Sequence, residues 1–431
     1  MPFENSPHAP RRIAVIGGGI SGLGAAYMLA ENAHVTLFEA EPRLGGHART
    51  RMAGRNGDQP VDTGFIVFNY ANYPLLTRLF EELDVPVTPS DMSFSASLGG
   101  GRMEYGLRDL KAIFAQKRNL GNPKFWGMLR DVMRFNARAV DVARDRSLSL
   151  RQFLDVLGTG AWFRDYYLLP LSGAIWSTPT EKIMDFPAHA LVTFFQNHAL
   201  LSATGQHQWW TVQGGSVEYV RRLTAALVGR GATLRPDTPV QAVRRAGGEV
   251  RIKVAGADWE TFDEVVMATH GDTSLRLLDD PSVEERAALS KVAYQPNRVV
   301  LHADVSLMPK RRAAWSSWNY TEAADKTVET IDLTYWMNCL QPIPKDDPMF
   351  VTLNSTRPIR DELIYDEVIL RHPVYDEGML EAQAQVARFN GAQNTWFCGA
   401  WMRNGFHEDG LASAADVVEA IHAGNRLGAV A

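Results

Sequence analysis

The chain has 431 residues, 45% of them hydrophobic and 22% charged, and a net charge of −5. That length predicts two or three domain-sized units with ample core, and the mild negative charge argues against nucleic acid as a partner. Two cysteines, Cys339 and Cys398, are too few for a disulfide framework or a thiolate cluster, and with no metal-ligand spacing elsewhere no metal is expected. No apolar run has the length of a membrane span, and residues 1–12 are unlike a signal or transit peptide. A cytoplasmic setting is therefore expected, and peripheral contact with the inner face of a membrane is compatible with it.

Residues 13–16 form a short apolar run suited to a buried parallel strand, followed by Gly17, Gly19 and Gly22 in G-x-G-x-x-G spacing and an apolar helical stretch over 23–29. Gly17 is expected to make the tight turn, Gly19 to let backbone approach a pyrophosphate, and Gly22 to let helix pack on strand. The free amides at the helix start, including those of Ile20 and Ser21, would hold the phosphates. A second strand over 34–38 ends in Glu39-Ala40, placing a carboxylate to accept from ribose hydroxyls. An acid there disfavours a 2′-phosphate, which leaves FAD or NAD.

The segment Arg43-Leu44-Gly45-Gly46-His47-Ala48-Arg49-Thr50 follows directly. It resembles the second signature of the flavoprotein amine oxidase superfamily, which includes carotenoid desaturases and protoporphyrinogen oxidases. The resemblance implies non-covalently bound FAD, with Arg43, Gly45, Gly46 and Arg49 along its pyrophosphate and ribityl chain. Paired glycines permit close backbone approach, and guanidinium groups offer forked donors to phosphate. The implied fold is α/β: a Rossmann-like FAD-binding domain assembled from 1–79, 211–293 and 386–431. The substrate domain inserted into it is mostly helical over 80–210 and an antiparallel sheet over 294–385.

Residues 61–69 read as a strand entering the site. Asp62-Thr63-Gly64 matches the superfamily's Asp-x-Gly core, with Gly64, Phe65 and Ile66 expected beside the cofactor. From about residue 80 the composition turns aromatic and helical, with helical spacing over 107–114, 123–142 and 149–157. Trp176, Phe186, Phe194, Trp209 and Trp210 follow. Any one of these is more often core, but together they point to an apolar ligand. A Gly-Gly segment at 214–215 then resembles the superfamily's middle motif before a helix over 217–227. Val240 matches the residue whose backbone meets adenine in relatives. Residues 249–254 and 259–262 read as antiparallel strands, and 263–270 as a strand ending in Ala268-Thr269, which in relatives passes the ribose and pyrophosphate. An antiparallel sheet over 294–355, carrying Trp336, is expected to roof the flavin.

At the C-terminus a strand ends at Gly399, a loop covers 401–408, and a helix starts near Asp409-Gly410-Leu411. In relatives that helix N-terminus faces the flavin. Glu408 resembles the family glutamate of the ribityl or phosphate region, and Asp409 is expected to cap the helix. Here the family's Glu-Gly is one residue longer, Glu408-Asp409-Gly410, and Phe406 or His407 stands where amine oxidases have a cage tyrosine. A two-tyrosine amine cage is therefore not evident. His407 is the candidate base, against a plain packed histidine.

The C-terminal sequence resembles a bacterial subgroup linked to fatty-acid modification. Three readings follow. The first is an FAD enzyme that desaturates, or shifts a double bond in, an unsaturated or methyl-branched acyl chain of a phospholipid, with Trp176, Trp210, Trp336 and Phe406 as substrate contacts. The second is an amine oxidase, and the third a flavin-binding redox protein without turnover. O2, a quinone and an electron-transfer protein are all compatible as electron acceptors.

Overall fold

The computed structural model describes residues 10–176, 184, 185, 187–197, 200, 201, 207–324 and 332–428. Phe186 and the side chain of Trp176 lie outside the described residues.

Five short strands pair in parallel in the spatial order Thr233–Arg235, His34–Phe38, Arg12–Ile16, Glu264–Met267 and Thr395–Phe397. The chain starts in the middle and extends to both sides, the doubly wound order. Alternation explains the uninterrupted apolar runs. Ile13 and Val15 pack on one face against the helix Ile20–Leu29 and Val417, Val418 and Ile421 of the C-terminal helix His407–Gly428. Ala14 and Ile16 pack on the other, against the antiparallel strands Val240–Ala246 and Glu249–Val254 and the helix Glu377–Phe389. A strand covered on both faces has no polar side to show.

A second sheet has seven strands, ordered Ile364–Pro373, Tyr294–His302, Phe350–Leu353, Asp332–Trp336, Trp318–Thr321, Phe94–Leu98 and Met103–Gly106. All neighbours are antiparallel except the parallel pairing of Trp318–Thr321 with Phe94–Leu98. The sheet expected over 294–355 is thus present, but wider. Phe94–Leu98 and Met103–Gly106 come from the stretch read as mostly helical. Ile364–Pro373, with Asp366, Glu367, Arg371 and His372 along it, has the charged pattern of an edge strand and little hydrophobic signal.

Helices Pro123–Val142, Leu150–Leu157 and Ala188–Asn197 pack around an aromatic core. Their ends are written locally. Asn122 accepts from the amide of Lys124 ahead of Pro123, Ser149 and Gln152 form a capping box, and Gly158 turns left-handed at φ 70°. Phe125, Phe135, Phe153, Phe163 and Phe195 are fully buried, and Phe135 packs against three of the others. Much of the aromatic excess is core, not ligand surface.

Candidate functional site

The carboxyl ends of the parallel strands, Ile16, Phe38, Met267 and Phe397, are all buried. Directly after three of them Gly17, Glu39 and Ala268–His270 regain exposure, which marks the crevice that doubly wound sheets use for ligands. The glycines at its floor differ in kind. Gly17 has φ +109°, and a Cβ there would lie 2.7 Å from the Ala268 carbonyl oxygen. A Cβ on Gly22 would lie 1.8 Å from the Gly17 carbonyl oxygen, so helix and strand touch there. A Cβ on Gly19 would meet nothing within 4 Å. Gly19 heads the helix Ile20–Leu29, which has no side-chain cap and no acid in its first turn, although Leu23 donates to the Gly19 carbonyl as a helix should.

A second helix start converges on the first. A Cβ on Gly410 would lie 2.8 Å from Ser21 Oγ and 3.0 Å from Ile20 Cγ2. The positive ends of Ile20–Leu29 and His407–Gly428 therefore meet at one point, which favours an anion there. Open backbone at Gly19 and two converging helix starts fit the pyrophosphate of a dinucleotide.

Around this point the expected residues fall into two groups. Glu39 stands at the end of its strand, its carboxylate accepting from the amides of Gly18 at 2.6 Å and Glu41 at 2.8 Å with lone pairs to spare, and Ala40 beside it is exposed. Asp237 and Thr238 donate to the carbonyls of Glu41 and Glu39, which brings Val240 to the same end. The Arg43 guanidinium folds over Gly45-Gly46, donating to the carbonyls of Gly46 and Ala48. Ala268 and Thr269 run beside Gly17, and Gly399 is held by Ser413 Oγ at 2.9 Å.

The second group makes contacts within the scaffold. Arg49 is buried in an ion pair with Asp366 of the edge strand and also donates to Thr63 Oγ1, so it ties the Gly-Gly segment to the seven-stranded sheet. Gly64 approaches the His47 carbonyl, 2.0 Å from where its Cβ would be, not a flat ring. Ile66 accepts from Thr211 Oγ1. Glu408 accepts from the amides of Leu75 and Leu76, both at 2.9 Å, and so caps the helix Pro74–Glu82. Asp409 accepts from the amide of Phe406, reaching back from inside the helix as the second half of a capping box does. Leu411 packs on Gly24 between the two helices.

His407 is a packed histidine. Its ring stacks on Phe65 with centroids 3.9 Å apart and planes 11° apart, and Nε2 lies 2.6 Å from the Tyr219 hydroxyl. Burial pushes its pKa down to about 3. The ring is held neutral, and its Nε2 is engaged in a hydrogen bond with the Tyr219 hydroxyl. Asp62 is a hub and not a cofactor ligand: it accepts from Thr50 Oγ1, Ser216 N and Oγ, and Gln341 Nε2. Burial raises its pKa to about 6 in spite of those donors. Three histidines gather nearby, His47 with its ring 5.5 Å from His372 and 6.1 Å from His270. Burial holds them neutral, His372 at about 3 and His270 at about 4. Tyr219, Asp366 and this trio were missed from the sequence. His47 lies within the Arg43–Thr50 signature and His270 directly follows Ala268-Thr269, and that was the available signal.

Of the expected substrate contacts, Phe406 stacks on Phe194 with centroids 5.0 Å apart, joining the loop before His407–Gly428 to the helical layer. Trp210 packs edge-on against Tyr70 in a small sheet. Trp336 belongs to a separate core with Met308, Trp315 and Phe350, because its strand turns that face away from the helical layer.

Residues 20–311, well over half of the chain, match the family described as flavin containing amine oxidoreductase. The chain belongs to that family. The family is described by a flavin cofactor and by oxidation–reduction chemistry. Among family-like relatives, coproporphyrinogen III oxidase of Mycobacterium tuberculosis is 48% identical over 78 residues, covering 17% of this chain and 16% of that enzyme. All-trans-zeta-carotene desaturase of Myxococcus xanthus is 25% identical over 310 residues, 66% of this chain and 57% of the desaturase. The alignments thus span less than two thirds of either curated relative. In fold, this amine oxidoreductase family member is similar to the fatty acid isomerase of P. acnes, with TM-score 0.67 and 16% identity over 95% and 98% of the two chains. A putrescine oxidase variant gives TM-score 0.71 and 15% identity over 96% and 99%.

Proposed function

We propose that this protein is an FAD-dependent oxidoreductase that removes hydrogen from, or shifts a double bond in, an unsaturated or methyl-branched acyl chain of a phospholipid. The observation that carries the cofactor reading is the uncapped start of Ile20–Leu29, open at Gly19 and faced by Gly410. The amides of Ile20 and Ser21 would hold the pyrophosphate, Glu39 the adenosine ribose, and Gly45-Gly46 with Arg43 the stretch between. Val240, Ala268, Thr269 and Gly399 would complete the wall. When bound, the flavin supplies a hydride acceptor. The chain's own part is to orient the substrate, exclude water and place the positive end of His407–Gly428 where negative charge grows.

Two features support an apolar substrate over an amine. The Phe194–Phe406 stack lies where the helical layer meets the cofactor loop. Glu408 and Asp409, the carboxylates nearest that loop in sequence, already accept from backbone amides, so neither is set to hold an ammonium. Among the similar proteins the fatty acid isomerase and the carotene desaturase agree with this reading, and the putrescine oxidase with the amine alternative.

The test is an anaerobic titration of the purified protein, following the flavin's visible band. Bleaching by unsaturated phospholipid and not by a panel of amines supports the reading, and re-oxidation by O2, a quinone or an electron-transfer protein then identifies the acceptor. Bleaching by amines alone overturns it in favour of an amine oxidase. A flavin that only a partner protein reduces makes this a redox carrier without turnover. Isomerisation, which leaves no net reduction, is read from the double-bond positions of recovered lipid.

A further inference from the structure

Three of the exposed large apolar side chains, Trp126, Met133 and Val140, lie on one helix. The helix Pro123–Val142 buries Phe125, Met128, Phe135 and Ala139 on its inner side. Its outer side presents Trp126, Arg130, Met133, Ala137 and Val140, spaced alternately by four and three residues and continued by Arg144 just past the helix end. That spacing makes one face of a helix, and Trp126 to Val140 extends about 21 Å along it. Met133 is 72% exposed and Trp126 49%. The indole is held in this position: its Nε1 donates to the Leu120 carbonyl at 2.9 Å, and Phe114 packs against the ring at 5.4 Å. Leu110 and Leu120, both largely exposed, extend the apolar surface at that end.

The charge around this face is opposite to that of the whole molecule. Residues 110–146 hold nine lysines and arginines, three aspartates and no glutamate, in a chain whose net charge is −5. One of the three acids, Asp131, is buried and accepts from the Gly160 amide, with Arg130 and Arg134 near it. Among the described residues Lys111, Lys117, Arg118 and Arg138 make no ion pair. A tryptophan and aliphatic stripe framed by unpaired cations has the composition of a helix that lies in a lipid interface. A second copy is a poorer occupant, because pairing the faces would bring two sets of these cations together.

We propose that this face docks the protein in plane on an anionic phospholipid bilayer, with Trp126, Met133 and Val140 among the headgroups and the flanking lysines and arginines against lipid phosphates. The inference is independent of the acyl-chain reading, because binding is measured without turnover.

The experiment is co-sedimentation of the 431-residue chain, with its flavin, with vesicles of phosphatidylglycerol and phosphatidylcholine or of phosphatidylcholine alone. The protein should pellet with the anionic vesicles, bind the neutral ones about tenfold or more weakly, and be released at about 0.5 M salt. Met133→Glu should weaken binding about tenfold, and Arg138→Glu about fivefold or more. Val283→Glu, at an equally exposed site elsewhere, should leave it unchanged. No pelleting at low salt overturns the proposal, as does Val283→Glu weakening binding as much as Met133→Glu. A dimer in light scattering that Met133→Glu disperses without lipid also overturns it, and makes a second copy the occupant.

Discussion

At the scale of single residues, the glycines of the first turn separate folding from binding. Gly22→Ala would place a methyl 1.8 Å from the Gly17 carbonyl oxygen, so it should destabilise the cofactor fold by about 3 kcal/mol or more and abolish flavin retention. Gly19→Ala meets open space, so its apoprotein should melt like the parent. Flavin affinity should still fall about tenfold, roughly 1.4 kcal/mol, because the methyl fills the phosphate cradle. Flavin-fluorescence titration and melting of the two variants check both statements. His407 and Tyr219 form the second residue-scale case. His407→Phe keeps the stack on Phe65 but orphans the buried Tyr219 hydroxyl, and should cost about 1–3 kcal/mol in urea unfolding. Adding Tyr219→Phe should recover about 1 kcal/mol or more. Strict additivity of the two would mean that the hydrogen bond contributes nothing. The G-x-G-x-x-G spacing made the turn at Gly17 and the close helix–strand contact at Gly22 legible in advance. The fate of His407 was not, because its partners Phe65 and Tyr219 lie 188 residues or more away in sequence.

At the scale of elements, Glu408, expected beside the cofactor, holds the start of another helix, and Asp409 caps its own helix as expected. Glu408 satisfies the first free amides of Pro74–Glu82, a helix that begins with proline and has no side-chain cap of its own. Glu408→Ala should therefore lower stability by about 1–2 kcal/mol while flavin spectra of the folded protein stay unchanged. Thermal melting with absorbance spectra distinguishes this from a cofactor ligand, whose loss would shift the spectrum or release the flavin. The helices over 123–142 and 149–157 were legible because amphipathic spacing and capping residues are local signals. The edge strand Ile364–Pro373 was not, since its partner strand supplies the hydrogen bonds and its own charges hide it.

For the whole molecule, burial lowers the pKa of His47 and of four further histidines, His270 and His302 to about 4 and His372 and His407 to about 3. Each folded pKa lies below the ordinary 6.5, so the unfolded chain binds more protons and stability falls as pH drops through 6.5. Asp62, raised to about 6, acts in the opposite sense, since its proton is held better by the folded state and its stabilisation fades as pH rises from about 4 to 6. Between pH 7.5 and 6 the histidines dominate, each contributing up to about 0.8 kcal/mol of lost stability at pH 6. Calorimetry should therefore show a lower Tm at pH 6 than at pH 7.5. An equal or higher Tm at pH 6 would mean that these rings accept protons in the fold.

What the sequence determined by itself is the cofactor half of the molecule: strand, glycine turn, helix, strand and acid lie within one short stretch, and each step rests on backbone sterics or local periodicity. Tertiary structure alone decided which polar residues remain for chemistry. Arg49, Asp62, Glu408 and Asp409 match motif positions, yet three of them take long-range partners, Asp366, Gln341 and the amides of Leu75 and Leu76, and Asp409 turns back on its own helix. A buried charge or helix end must find its partner wherever the folded chain brings one, and that pairing is invisible until the distant segments meet.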